Sequence, residues 1–270
     1  MRLATHPSPG ALERTRDAMD PLTLEDVNAR AGLLQRQDVK YLLREDQACE
    51  LLRRLSGSHQ VLEIDGRRAF GYDSTYFDTE TLQLYRDHAQ GRRLRWKVRT
   101  RRYSDGPLCF REVKLKGARG STVKVREQCP AHEHGWAGPE LTRFVDASLR
   151  EHYGHGTDLR LTASLSVRYE RTTLASVDGV ERVTLDRGLT VVDSHGHLRG
   201  GLRPGMALLE VKTPVGGGTA SRALAADGLR PLSLSKYGVG VALTRADVNR
   251  SALQQVIRRG FHEQSQSWAA

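Results

Sequence analysis

The segment Arg93-Leu94-Arg95-Trp96-Lys97-Val98-Arg99-Thr100-Arg101 carries a cation at every second position. Successive side chains of a strand point to opposite faces, so an extended chain here puts all five cations on one face and Leu94, Trp96 and Val98 on the other. One such strand alone reads as a solvated outer face. The pattern recurs, which weakens that reading. In Phe110-Arg111-Glu112-Val113-Lys114-Leu115-Lys116, the residues Glu112, Lys114 and Lys116 oppose Val113 and Leu115, and in Thr122 to Arg126, Lys124 and Arg126 oppose the valines. The segments Arg182 to Asp186, Leu209 to Lys212, and Arg36 to Tyr41 alternate in the same sense. A sheet with so many cations on one face must show it to water or close it around something negative. Closure would crowd like charges at a cost of roughly several kcal/mol per close pair, which an anion must offset. Arginine offers a rigid fork and lysine a point charge, a mixture that suits a chain of phosphoryl groups better than a carboxylate.

The whole chain agrees. Its 270 residues hold 42 Lys+Arg against 32 Asp+Glu, a net charge of +10 that suggests a polyanionic partner. With 27% charged and 38% apolar residues the composition is that of a globular protein, neither disordered nor fibrous. No apolar run approaches the roughly 18 to 20 residues of a membrane span, and the first ten residues lack the apolar stretch of a secretion signal, so a soluble, cytoplasmic protein is expected. Cys49, Cys109 and Cys129 lack metal-ligand spacing and are odd in number, which points to unpaired thiols.

Three stretches are expected: a mobile lead-in over 1–20, one main domain over 21–250 and a tail over 251–270. Strands are predicted around Arg36 to Arg44, Arg67 to Asp78, Arg92 to Tyr103, Leu108 to Lys116, Ser121 to Glu127, Leu161 to Thr173, Arg182 to Asp186, Leu189 to Val192 and Ala207 to Thr213. Helical periodicity marks Thr23 to Leu34, Glu45 to Leu55, Glu140 to His152 and Ser221 to Ala226, and a further helix is expected near the C-terminus. Many consecutive strands joined by short turns predict an α+β fold, an antiparallel sheet or barrel with peripheral helices.

Carboxylates on the cationic faces are few: Asp38, Glu112, Asp186 and Glu210. Glu210 either neutralises Lys212 and a neighbouring Arg or holds a divalent cation, since Mg²⁺ or Mn²⁺ beside phosphates needs only about one or two protein carboxylates. The metal reading is the one carried forward.

Taken together, Arg36-x-Asp38-x-Lys40-Tyr41, Ser74 to Thr79, Leu84-Tyr85 with His88, Arg93-Leu94-Arg95-Trp96, Glu112-x-Lys114, Tyr169 to Thr172, Arg182 to Asp186, Glu210-x-Lys212 and Ser235-Lys236-Tyr237 resemble the vacuolar transporter chaperone (VTC) domain. That family belongs to the triphosphate tunnel metalloenzymes, related to CYTH proteins. The resemblance runs from about Arg36 to Tyr237. It implies an eight-stranded antiparallel tunnel and synthesis of inorganic polyphosphate from the γ-phosphate of ATP, assisted by Mn²⁺ or Mg²⁺. Carried over by motif, Lys40, Arg93, Arg95, Lys114, Arg171, Arg182, Lys212 and Lys236 would line the tunnel and hold phosphates. Of these, Arg93, Arg95, Lys114 and Lys212 would bind the nucleotide, and Glu210 would bind the metal. Lys97, Arg99, Lys116, Lys124 and Arg126 extend the basic surface. Tunnel hydrolases open with Glu-x-Glu-x-Lys, whereas Arg36, Asp38 and Lys40 stand here, so the resemblance carries no second tightly held metal. It covers no membrane or phosphate-sensing module, so translocation of product would fall to a separate membrane partner.

Two rivals share the evidence. One is a triphosphatase or nucleoside triphosphatase on the same scaffold. The other is a non-catalytic polyphosphate or RNA binder; against RNA stands an aromatic content of only 6%, poor in stacking platforms. His132-x-His134 and His195-x-His197 read as exposed loops, Gly216-Gly217-Gly218 as a flexible turn without the Lys-Ser/Thr of a P-loop, Arg258-Arg259 as a solvated helix end, and Trp96 as core.

Overall fold

The computed structural model describes residues 10–30, 37–104, 106–117 and 122–264. In chain order the elements are α1 (Ala11–Asp17), β1 (Pro21–Leu22), α2 (Leu24–Ala29), β2 (Gln37–Arg44), α3 (Glu45–Leu55), β3 (His59–Leu62), β4 (Phe70–Asp78), α4 (Gln83–Ala89), β5 (Trp96–Tyr103), β6 (Cys109–Lys116) and β7 (Thr122–Cys129). They continue with α5 (Pro139–Tyr153), β8 (Thr162–Ser176), β9 (Arg182–Asp193), β10 (Leu198–Leu202), β11 (Met206–Thr213), α6 (Thr219–Ala226), α7 (Lys236–Thr244), α8 (Ser251–Gly260) and β12 (Phe261–Glu263). Arg36, the turn residue Asp105, and residues 118–121 lie outside the described residues.

Eight strands form one antiparallel succession, β2-β11-β9-β8-β4-β5-β6-β7. The fold is thus the expected α+β arrangement of a large antiparallel sheet with peripheral helices. Among the described residues no backbone ladder joins β7 to β2, so the wrap is not closed by hydrogen bonds. Instead Leu232 N donates to Lys40 O of β2 at 2.8 Å, and Lys114 Nζ on β6 lies 3.9 Å from Asp38 Oδ2 on β2.

The apolar side of each alternating strand is covered from outside. Tyr41, Leu43, Val183, Leu185, Leu209 and Val211 pack under α1, α3 and α6. Trp96, Val98, Val113 and Leu115 pack against Leu84 of α4 and Leu141, Val145 and Leu149 of α5. Burying one such side chain contributes about 1.5 to 3 kcal/mol, so each strand's orientation is fixed by its outer face. A third cluster lies within the wrap, where α7 fills one end of the hollow with Tyr237, Val239 and Val241 against Leu42, Leu165, Val167 and Leu208.

The structure departs from the sequence expectations at several points. Residues 11–17, which show no regular apolar period, form α1, with Leu12 and the following Met19 buried. The helix expected near the C-terminus is α8, and with β12 it is tied to the core by Val256, Ile257 and Phe261. β5 begins at Trp96 rather than Arg92, because the chain is still turning out of α4: Gly91 N donates to His88 O and Arg92 N to Asp87 O. The two short strands expected around Arg182 and Val192 are one continuous β9.

Candidate functional site

Register aligns the charged side chains in rows across the inner face. Lys97 stands opposite Lys114, and Lys114 opposite Lys124. Asp38 stands opposite Lys212, and Lys212 opposite Arg182; Lys40 pairs across with Glu210, and Arg171 with Asp186. Like charges directly opposite each other in a sheet destabilise it, so the lysine row needs a compensating charge.

The carboxylates foreseen on this face each clamp more than one cation. Glu210 Oε1 is 2.5 Å from Lys212 Nζ and its Oε2 3.5 Å from Lys40 Nζ. Asp38 Oδ2 is 2.9 Å from Lys212 Nζ. Asp186 accepts from Arg171 through Nε at 2.6 Å and Nη2 at 2.8 Å, and from Lys236 Nζ at 2.5 Å. Glu112 accepts from Arg99 at 2.6 Å and from Lys124, with Arg101 Nη2 3.8 Å away. For Glu210, burial would raise the pKa, but Lys212 and Lys40 outweigh it and hold the carboxyl well below its usual range. Asp186 is likewise lowered, burial being outweighed by Arg171 and Lys236. These groups are therefore anionic at neutral pH.

Charge is still unbalanced in the lysine row. Lys97 hydrogen-bonds Ser235 Oγ at 3.1 Å, and burial, followed by Lys114, Lys40, Arg95 and Arg99, pushes its pKa down to about 7. Burial also lowers Lys114, and takes Lys124 to about 8 despite Glu112. An anion entering the hollow would return these amines to their charged forms.

The N-terminus of α7 brings Ser235 and Lys236 to the floor of the charged region. Ser235 caps the helix, its Oγ accepting from Gly238 N at 3.0 Å. Asp78 anchors the first turn: its Oδ2 accepts from Tyr237 Oη at 2.5 Å and from Tyr85 N, its Oδ1 from Leu84 N. Asp78, the last residue of β4, thereby ties that strand's end to α4 and α7.

Lys40, Lys114, Arg171, Arg182, Lys212, Lys236 and Glu210 thus share the inner face. Arg93 and Arg95 precede β5; Arg93 is exposed, and Arg95 donates to the carbonyls of Gly91 and Arg92. Lys97, Arg99 and Arg101, to which the motifs gave less weight, sit inside, and the exposed Lys124 reaches Glu112 from β7. Their period-two alternation was the available signal. Tyr72, Tyr76 and Tyr169 also face inward and were missed, because tyrosines on a cationic face look like core in a sequence.

Among the described residues no cluster of three His, Cys, Asp or Glu could hold a metal unaided. The convergence of Glu210 and Asp38 on one ammonium nevertheless marks a point where two carboxylate oxygens meet a cation. That donor set fits a divalent ion completed by phosphate oxygens and water. His134 is not in an exposed loop: its Nε2 lies 3.4 Å from the buried Asp73, so packing, not metal affinity, accounts for it. Gly218 is held tightly too, since a Cβ there would meet Glu181 Oε1 at 2.4 Å. Trp96 is core as expected, and all three cysteines are free, Cys109 and Cys129 facing each other at 3.4 Å.

A VTC domain matches residues 35–245, most of the chain. The chain belongs to the VTC domain family. Its inner face carries most of the cations that the sequence resemblance led one to expect there. Among solved structures it is similar to a putative adenylyl cyclase, HpAC1 from Hippeastrum, described as having a dominant triphosphatase activity, at 17% identity over 76% of this chain and 96% of that one, with a TM-score of 0.44. It is also similar to a putative adenylate cyclase from Bacillus halodurans, at 11% identity over 82% of this chain and 98% of that one, with a TM-score of 0.37. No curated protein matches the sequence. No helix among the described residues of this VTC domain is long and apolar enough to cross a membrane.

Proposed function

We propose that this VTC domain is a polyphosphate polymerase that transfers the γ-phosphate of ATP to the end of an inorganic polyphosphate chain. The observation that carries the reading is the convergence of Lys40, Lys97, Lys114, Arg171, Lys212 and Lys236 from separate elements on one hollow whose carboxylates leave positive charge uncompensated. A terminal phosphate oxygen of the chain attacks the γ-phosphorus in line. A new P–O bond forms as the bond to the β–γ bridging oxygen breaks, and ADP leaves with the electron pair. The attacking oxygen is already anionic near neutral pH, so no general base is needed, and positioning with charge neutralisation carries the rate. That matches a hollow rich in cations.

Arg171, Arg182 and Lys236 would grip phosphate oxygens of the chain, and Lys114 and Lys212, with Arg93 and Arg95 ahead of β5, would hold the nucleotide's phosphates. Glu210, beside Asp38, would hold Mn²⁺ or Mg²⁺, which when bound supplies further neutralisation of phosphate charge. Incubation of pure protein with ATP and either ion, resolved on a gel, is expected to give chains that shorten or vanish in Lys212→Ala and Glu210→Ala, with turnover down roughly tens to thousands-fold. Orthophosphate as the sole product would replace the polymerase with a hydrolase. Chain formation untouched in both variants would remove the site assignment.

A further inference from the structure

The inner face is not uniformly basic. On β4, β5 and β6 it changes, six residues along β5 from Lys97 and four along β6 from Lys114, into a ladder of rings. Tyr169 stacks on Tyr72 at 5.2 Å between centroids, Tyr72 meets Tyr103 at 4.9 Å, and Tyr103 meets the edge of Phe110 at 6.1 Å. Tyr169 is buried, whereas Tyr72, Tyr103 and Phe110 are partly exposed. Guanidinium groups sit on these rings: Arg101 and Arg171 each lie 5.2 Å from the centre of Tyr72, and Arg126 lies 5.1 Å over Phe110. Arg126 is exposed and lies over the Phe110 ring. Six residues of strand span roughly 20 Å, so this end is separate from the lysine row.

Inorganic phosphate makes no use of aromatic faces. A flat, electron-poor heterocycle does, by stacking on a ring and beneath a guanidinium. We propose that Phe110 and Tyr103, with Arg126 over them, seat the nucleobase of the substrate, while Arg101 and Arg99 receive its first phosphates. This rests on the nucleotide-using reading above and adds a polarity to it: the nucleoside lies at the aromatic end and the γ-phosphate points toward Lys97 and Lys114, so the polymer occupies the lysine end. Arg126 gives up its place on Phe110 to the base and stacks on the base's outer face.

Calorimetric titration of the full chain with ATP and with inorganic tripolyphosphate separates the two readings. Phe110→Leu, which keeps apolar volume but removes the planar face, is expected to weaken ATP roughly five- to a hundred-fold and to leave tripolyphosphate within about twofold. Unchanged tripolyphosphate binding also shows that the variant is folded. Phe110→Trp should hold ATP as tightly as the native protein. Equal weakening of both ligands, or of neither, overturns the base seat while leaving the tunnel intact. Failure of the native protein to bind tripolyphosphate would overturn the phosphate-handling hollow itself, and the base seat with it.

Discussion

Replacing Lys97 by Met tests whether the hollow stores electrostatic cost. The Lys97 amine falls from an ordinary 10.5 to about 7, through burial first and then through Lys114, Lys40, Arg95 and Arg99. At 1.36 kcal/mol per pH unit, keeping it charged in the folded state costs on the order of 5 kcal/mol below pH 7. Between about 7 and 10.5 the unfolded chain holds a proton that the folded chain has released, so native stability rises with pH across that window. At pH 9.5 only about 1 kcal/mol of the cost remains. Methionine removes the cost at every pH, keeps the length of the side chain, and gives up the hydrogen bond to Ser235, worth about 1 kcal/mol. Urea unfolding without polyanion should therefore find Lys97→Met more stable than the native protein by roughly 3 to 4 kcal/mol at pH 6.5 and about equal to it at pH 9.5. Lys114 repels Lys97 and is relieved in turn when the Lys97 charge is removed, which adds to the gain at low pH. A variant less stable at pH 6.5, or a difference that does not change with pH, refutes the crowding argument.

Three further outcomes are expected. Asp186→Asn leaves Arg171 and Lys236 without their shared carboxylate and should cost about 3 to 5 kcal/mol at pH 7 by urea unfolding; because Asp186 titrates below its ordinary range when folded, this advantage of the native protein holds above about pH 4 and shrinks as pH falls further. In steady-state assays Arg93→Ala should slow turnover far less than Arg171→Ala, since Arg93 is exposed ahead of β5 whereas Arg171 is gripped by Asp186 inside; equal losses would put Arg93 inside as well. Gly240→Ala would bring a Cβ to 2.9 Å from Leu165 Cδ1 in the tightly packed α7 contact and should lower stability by about 1 to 3 kcal/mol in thermal or urea melts.

The strands that build the charged face were legible because burial on one side and charge on the other imposes period two, and β2, β6 and β11 begin and end within a residue or two of where that pattern placed them. Helix α3 was read from Glu45 to Leu55, its observed span, because its apolar stripe is sharp. Helix α7 was not. Lys236-Tyr237-Gly238-Val239-Gly240-Val241-Ala242 is apolar on every side and carries two glycines, so no stripe exists to read; the helix is stable because all of its faces are buried, and Gly240 permits the close approach to Leu165. The site shows the same division. Glu210 with Lys212 and Lys40 follows from alternation plus motif, but the Lys97-Lys114-Lys124 row depends on strand register and the hold of Asp78 on Tyr237 depends on contacts 159 positions apart, neither of which a single sequence spells out.

The unlaced edge between β2 and β7 bears on how wide the hollow is. In a fully hydrogen-bonded barrel, girth is set by strand number and stagger and is indifferent to solution conditions. Here β2 meets Leu232 rather than β7, and Lys114 of β6 reaches across to Asp38 of β2 by a charge contact that salt weakens. Dissolved ions and a threaded polyanion therefore compete for the same side-chain link between the two ends of the sheet.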